Sequence, residues 1–172
     1  MQDRFKYKVK FEIDGQVEIF DVTNLDIERG QVFFKREDGQ DYNIGIGCED
    51  VELLQCTGLK DKNGKLIYEG HIVKDLTYLH EVKYVCAFLP IFGGLGLISN
   101  QDLKDYEFCK ENWESFTIND KVRNLDNRFK LANQGNNLRC FNMNNLKMDY
   151  FEVIGNIYEN SELLSEVSND DK

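Results

Sequence analysis

Proline is almost missing from this chain. Pro90 is the only one in 172 residues, which excludes proline-rich linkers and collagen-like repeats. Tryptophan occurs once, at Trp113, and histidine twice, at His71 and His80, with neither histidine at a metal-ligand spacing. No run of about 18 apolar residues occurs, so no membrane-spanning helix is expected. The five cysteines (Cys48, Cys56, Cys86, Cys109 and Cys140) are odd in number and scattered. None makes the close pair of a zinc knuckle, and free, mostly buried thiols in a reducing cytosol are expected. The opening Met1 to Lys6 lacks an apolar signal region, which leads us to expect a chain that is not exported. Positive charge is also scarce, with 21 Lys plus Arg against 31 Asp plus Glu and a net charge of −10. The surplus sits in residues 1–56 and 150–172, while the middle is close to neutral. Such a balance disfavours a grip on phosphate backbones and favours solvation or a basic protein partner.

What the chain does have is alternation. Phe5, Tyr7, Val9 and Phe11 share one face of a strand, with Lys6, Lys8 and Lys10 on the other. Those lysines read as solvating or edge-protecting residues, with contact to a polyanion as the alternative. Asp14-Gly15 turns the chain into a return strand over residues 17–22, and Asn24 to Gly30 reads as a loop or single turn. Gln31 to Arg36 and Asp41 to Ile46 complete an antiparallel meander of about four strands. Val51 to Leu54 then lead toward Thr57 to Lys74, where turn chemistry is densest. Asp61-Lys62-Asn63-Gly64 is a tight turn, and Gly70 permits a bend before Ile72 and Val73. Gly64 falls at the fourth position from Asp61, not the sixth that a calcium loop requires, so calcium is excluded there.

Val82, Tyr84, Cys86 and Phe88 alternate as a further strand, which Pro90 ends. Phe92-Gly93-Gly94-Leu95-Gly96 lacks the Lys-Ser or Lys-Thr of a phosphate loop and reads as a turn. The period then changes. Residues at about 100–132 carry helical spacing, with Ile118, Val122, Leu125 and Phe129 on one stripe, giving one or two helices. The Asn-rich stretch 133–145 is a loop with a short strand at Leu138 to Phe141. Tyr150 to Tyr158 is a last strand bulged at Gly155, and Asn160 caps a short helix over Ser161 to Val167.

The expected fold is α+β and mainly β: an antiparallel meander, a small SH3-like barrel, a one- or two-helix insertion and a short C-terminal helix. The domain plan is 1–56 for the meander, 57–164 for a β-rich core with its insertion, and 165–172 for a frayed acidic tail. No catalytic, cofactor or metal residue emerges. Cys with His71 or His80, and Glu52 or Glu69 as acid or base, remain possible pairings that sequence alone cannot assemble. For contact with a partner, Phe92, Trp113, Phe116, Glu111 and Glu114 are the candidates, as apolar and acidic groups on or beside the insertion.

Two stretches resemble the signatures of the YopX family. One is Thr57-Gly58-Leu59-Lys60-Asp61-Lys62-Asn63-Gly64-Lys65 with Ile67-Tyr68-Glu69-Gly70 and Ile72-Val73-Lys74. The other is Glu152-Val153-Ile154-Gly155-Asn156-Ile157-Tyr158-Glu159-Asn160 with Glu162-Leu163-Leu164. The chain departs from the family in having His71 where Asp is common, Ser161 where Pro is common, and a longer segment from Leu76 to Tyr150. The resemblance implies a protein of bacteriophages and prophages of Gram-positive bacteria, self-associating, without an enzymatic activity to carry over. The expected role is a non-enzymatic accessory protein in the host bacterial cytoplasm, binding a basic, nucleic-acid-binding host protein, as an anti-CRISPR or nuclease inhibitor would. The alternative is a nucleic-acid-binding small β-barrel, suggested by the Gly-x-Ile-Val strand at Gly70.

Overall fold

A computed structural model describes residues 6–13, 15–48, 51–77, 82–89, 94–100, 103, 140–142 and 148–164. The chain is mainly β. Its strands are β1 (Tyr7–Ile13), β2 (Gln16–Asp26), β3 (Gln31–Lys35), β4 (Asp41–Gly45), β5 (Val51–Lys60), β6 (Leu66–Tyr68), β7 (His71–Asp75), β8 (Val82–Leu89), β9 (Gly94–Ser99), β10 (Cys140–Asn142) and β11 (Phe151–Asn156). Every pairing is antiparallel. A six-stranded sheet runs β4-β3-β2-β1-β5-β6, and a five-stranded sheet runs β10-β9-β8-β7-β11. Neither order returns to its first strand among the described residues, so the ladders alone do not close the SH3-like barrel expected from the sequence.

The first sheet is held by the alternation seen in the sequence. Val9 and Phe11 of β1 and Val32 and Phe34 of β3 are buried together. An aromatic row crosses the strands: Phe11 to Phe20 at 5.8 Å, Phe20 to Phe34 at 5.2 Å and Phe34 to Tyr42 at 6.0 Å between ring centroids. Each such pair contributes about 0.5–1.5 kcal/mol beyond the area it buries. The strand β2 runs to Asp26, further than the sequence suggested, because a bulge between Val22 and Asn24 restores its pairing with β3. Position 56 falls inside β5, which pairs with β1 on one side and β6 on the other.

One expectation is overturned here. The strand β1 lies between β2 and β5, so its lysines do not protect an edge. Lys8 instead pairs with Asp21 on β2 at 2.9 Å, and Lys10 pairs with Glu52 on β5 at 2.9 Å. Their stems are half-buried, and their ammonium groups lie over Tyr68 and Tyr158, at 5.3 Å and 4.5 Å from the ring centroids. Long cationic side chains cover apolar surface in this way while keeping the charge partly wet.

The second sheet is built around β7. His71, Ile72 and Val73 are all buried, as a central strand covered on both faces requires. Ile67, Val73, Tyr84, Cys86, Leu97, Met148, Phe151 and Val153 form its core. The last strand carries a register shift between Val153 and Gly155, the bulge expected at this glycine. After it comes a 3-10 turn over Ser161–Leu164, and the rest of the helix expected to run to Val167 lies outside the described residues. The Asn160 backbone O accepts the Leu163 N–H at 3.0 Å, which opens that turn. Its Oδ1 accepts the N–H of Asn156 at 3.3 Å, pinning the strand end. The helical insertion expected at about 100–132 falls outside the described residues, except that Asn100 is in a turn and Leu103 is helical.

Candidate functional site

The two stretches singled out in the sequence meet in space, and Asp61 is where they meet. Its carboxylate is buried. One oxygen, Oδ1, accepts the N–H of Asn63 and of Lys65, each at 2.9 Å, which closes the loop between β5 and β6. The other, Oδ2, accepts the N–H of Val153 on β11 at 3.0 Å. The Lys62 N–H donates to Phe151 O at 2.9 Å. Outside this contact, Glu152 receives Lys62 Nζ at 2.8 Å and Asn63 Nδ2 at 3.2 Å. A buried carboxylate needs such donors to remain charged. Burial opposes ionisation of Asp61, but the N–H groups of Val153, Lys65 and Asn63 outweigh it and hold the carboxyl below the ordinary range. The outer edge of β11 is thereby covered by a loop rather than left as an open row of backbone groups.

Gly70 is the second junction. It has φ of +82°, the left-handed region that a glycine occupies without strain. Its N–H donates to Cys86 O at 2.7 Å and its O accepts Ile157 N–H at 2.9 Å, while the neighbouring Glu69 N–H reaches Gln55 O at 2.9 Å. A Cβ here would stand 2.5 Å from the Tyr158 ring, so any other residue would have to push that ring aside. His71 follows directly and is buried. Its Nδ1 accepts the Tyr68 N–H at 3.3 Å, which places the ring proton on Nε2. Burial first, then the charges of Lys65 and Lys8, push its pKa down to about 4, against a smaller opposing pull from Asp61.

A family model described as YopX protein matches residues 8–165. The chain belongs to the YopX family. No curated protein matches it. In this YopX-family chain both signatures are structural joints: Asp61 fastens the loop to the last strand, and Gly70 admits Tyr158. His71 is neutral and internally bonded.

The surface candidates fare differently. Phe92, Trp113, Phe116, Glu111 and Glu114 all lie outside the described residues, as does His80. Glu52 is committed to Lys10. Cys86 is fully buried, and burial pushes its thiol well up, away from the reactive thiolate form. Among the described residues, no group of three His, Cys, Asp or Glu side chains could hold a metal ion, and no helix is long and apolar enough to cross a membrane.

What the sequence reading missed is an open acidic groove of about 460 Å³. Residues 17–20 of β2 line it, with Arg36, Glu37 and Asp38 from the β3–β4 turn and Glu159 from beyond β11. Arg36 is the cation on its wall. Its guanidinium binds Glu18 and lies 5.7 Å from the Phe20 ring centroid and 5.5 Å from that of Tyr42. Asp38 accepts Tyr42 Oη–H at 2.7 Å and Gln40 N–H at 2.9 Å. The Tyr42 hydroxyl, followed by that N–H, holds the Asp38 carboxyl below its usual range. With Glu18 and Arg36 paired, Glu37, Asp38 and Glu159 leave the groove negative beside the apolar side chains of Ile19 and Phe20. Those carboxylates are separated by more than a hundred residues, which hid the cluster from a reading along the chain.

Proposed function

We propose that this YopX-family protein acts by binding a basic protein, without chemistry of its own. The observation that carries the reading is the negative groove, where Glu37, Asp38 and Glu159 flank Ile19 and Phe20. Carboxylates around an apolar strip suit the Lys and Arg side chains of a nucleic-acid-binding surface, whose stems are apolar and whose heads are cationic. The family fits a phage-type protein. In its sharper form the proposal is an accessory protein of the host bacterial cytoplasm that occupies the nucleic-acid-binding face of a defence protein, as an anti-CRISPR or nuclease inhibitor does. Self-association belongs to the same proposal, and light scattering of the purified chain tests it.

The decisive test is capture from lysate of a Gram-positive host with the wild type and with a Glu37→Lys/Asp38→Lys/Glu159→Lys variant. All three positions are exposed, so the fold is expected to survive, and circular dichroism checks that it does. The expected result is a basic, nucleic-acid-binding protein held by the wild type, released by salt and lost from the variant. An identical set of captured proteins from both baits would refute the reading.

A further inference from the structure

The lysines of β1 cover apolar surface and pair with Asp21 and Glu52. In a chain with ten more acidic than basic groups, they are also part of the opposite kind of surface. A second open groove, of about 330 Å³, lies between β1 and the β5–β6 hairpin. Lys6, Lys8, Lys60 and Lys65 line it, with a single carboxylate, Asp21. That carboxylate is already paired with Lys8. Lys60 and Lys65 form no ion pair among the described residues. Four lysines from two separate stretches thus converge where the chain as a whole would place negative charge.

The walls add two further groups. Tyr68 supplies an aromatic ring, and His71 packs edge-on against it at 5.5 Å between centroids. Because His71 Nδ1 is occupied by the Tyr68 N–H, the groove-lining ring carries its proton on Nε2 and is a hydrogen-bond donor without charge. Lys60 and Lys65 sit on either side of the Asp61 loop, whose internal hydrogen bonds hold the hairpin still. The donors are therefore carried by a braced element and not by a loose loop.

We propose that the lysine-lined groove between β1 and the β5–β6 hairpin binds a phosphoryl group. Lys60 and Lys65 contact the phosphoryl oxygens, and Lys8, held over the buried Tyr68 ring, contributes charge from the opposite wall. The volume admits a group of nucleotide size. Two sources carry this chemistry, a free nucleotide or pyrophosphate and the phosphate backbone of a single strand of nucleic acid, which lysines grip through its charge. The residues involved do not overlap those of the acidic groove, so either proposal can fail without the other.

The test is a titration of the full chain, followed by backbone amide NMR, with pyrophosphate, with adenosine monophosphate and with a short single-stranded oligonucleotide. Shifts confined to Lys60, Lys65, Tyr68 and their neighbours are expected, with binding in the range of about 1 mM or tighter at low salt. Lys60→Gln/Lys65→Gln, both at exposed positions, is expected to weaken binding by about tenfold or more. Lys35→Gln, an exposed lysine outside the groove, is expected to change nothing. Tight, steeply salt-dependent binding of the oligonucleotide over the two small ligands identifies a nucleic-acid strand as the source, and equal binding identifies a small phosphate ester. Absence of shifts at about 10 mM of every ligand overturns the proposal. So does equal binding by the double variant, or binding of a polyglutamate peptide in preference to all three phosphoryl ligands.

Discussion

Lowering the pH from 7.5 to 5.2 should destabilise this protein through His71, and the size of the effect can be worked out. The group titrates near 6.5 when unfolded and at about 4 when folded. As the pH falls below 6.5, the unfolded chain takes up the proton first. The stabilisation is therefore complete above about 6.5, declines through the interval and is lost once the pH passes below about 4. Between pH 7.5 and 5.2 the difference amounts to about 2 kcal/mol. The structural cause is specific: a proton on Nδ1 would remove the acceptor of the buried Tyr68 N–H and put a charge beside Lys8 and Lys65. Urea unfolding at several pH values reads this directly. With a slope of about 2 kcal/mol per M, the midpoint should drop by roughly 1 M. The range stays above the isoelectric point near 4.7, where association would interfere. Other groups also titrate, so the control is His71→Asn, whose amide oxygen can accept the same N–H but does not titrate. The variant should start lower at pH 7.5 and lose about 2 kcal/mol less on acidification. Parallel stability curves for the two proteins would refute the reasoning.

Three further outcomes follow from the joints. Asp61→Asn should cost about 2–4 kcal/mol at neutral pH, since a carboxylate with three backbone donors becomes an amide beside the buried Val153 N–H. Because the folded Asp61 titrates below its unfolded value of 3.8, its contribution is present above that pH and lost as the pH falls through the folded value, and acid unfolding below about 4 should be shallower in the variant. Gly70→Ala should cost about 2–4 kcal/mol, from the left-handed φ and the 2.5 Å approach to Tyr158, with the loss read in thermal unfolding. Lys83→Met keeps the stem of a buried lysine but removes the ammonium that donates to Leu163 O at 2.7 Å, and should cost about 1–3 kcal/mol while exposing the C-terminal turn to faster amide exchange.

Strands were legible wherever side-chain alternation and turn residues agreed. Val9 and Phe11 announce β1, Gly15 and Gly39 mark hairpins at φ of 77° and 78°, and Gly64 and Gly70 mark the loop and the pivot. The order of strands within the sheets was not legible, because it depends on which distant strands pair. The lysines of β1 looked like an edge until β5 was found beside them. The reach of Asp61 was hidden for the same reason. Its bonds to Asn63 and Lys65 are local and follow from turn chemistry, whereas its bond to Val153 spans 92 positions and has no local signal. Both grooves are of the second kind: Lys8 with Lys60, and Asp38 with Glu159, are neighbours only after folding.

The pairing of β9 with β10 sets Cys140 opposite Ile98 and Asn142 opposite Gly96. Ser99 and Cys140, on either side of residues 100–139, therefore end on adjacent strands, a step of about 5 Å across a ladder. The ladder holds those two points side by side. The entropy of closing a ring between two such fixed points grows only slowly with its length. A short turn substituted for residues 104–138, keeping Leu103 where it packs against Val85 and Ile98, should leave β8, β9 and β10 in register.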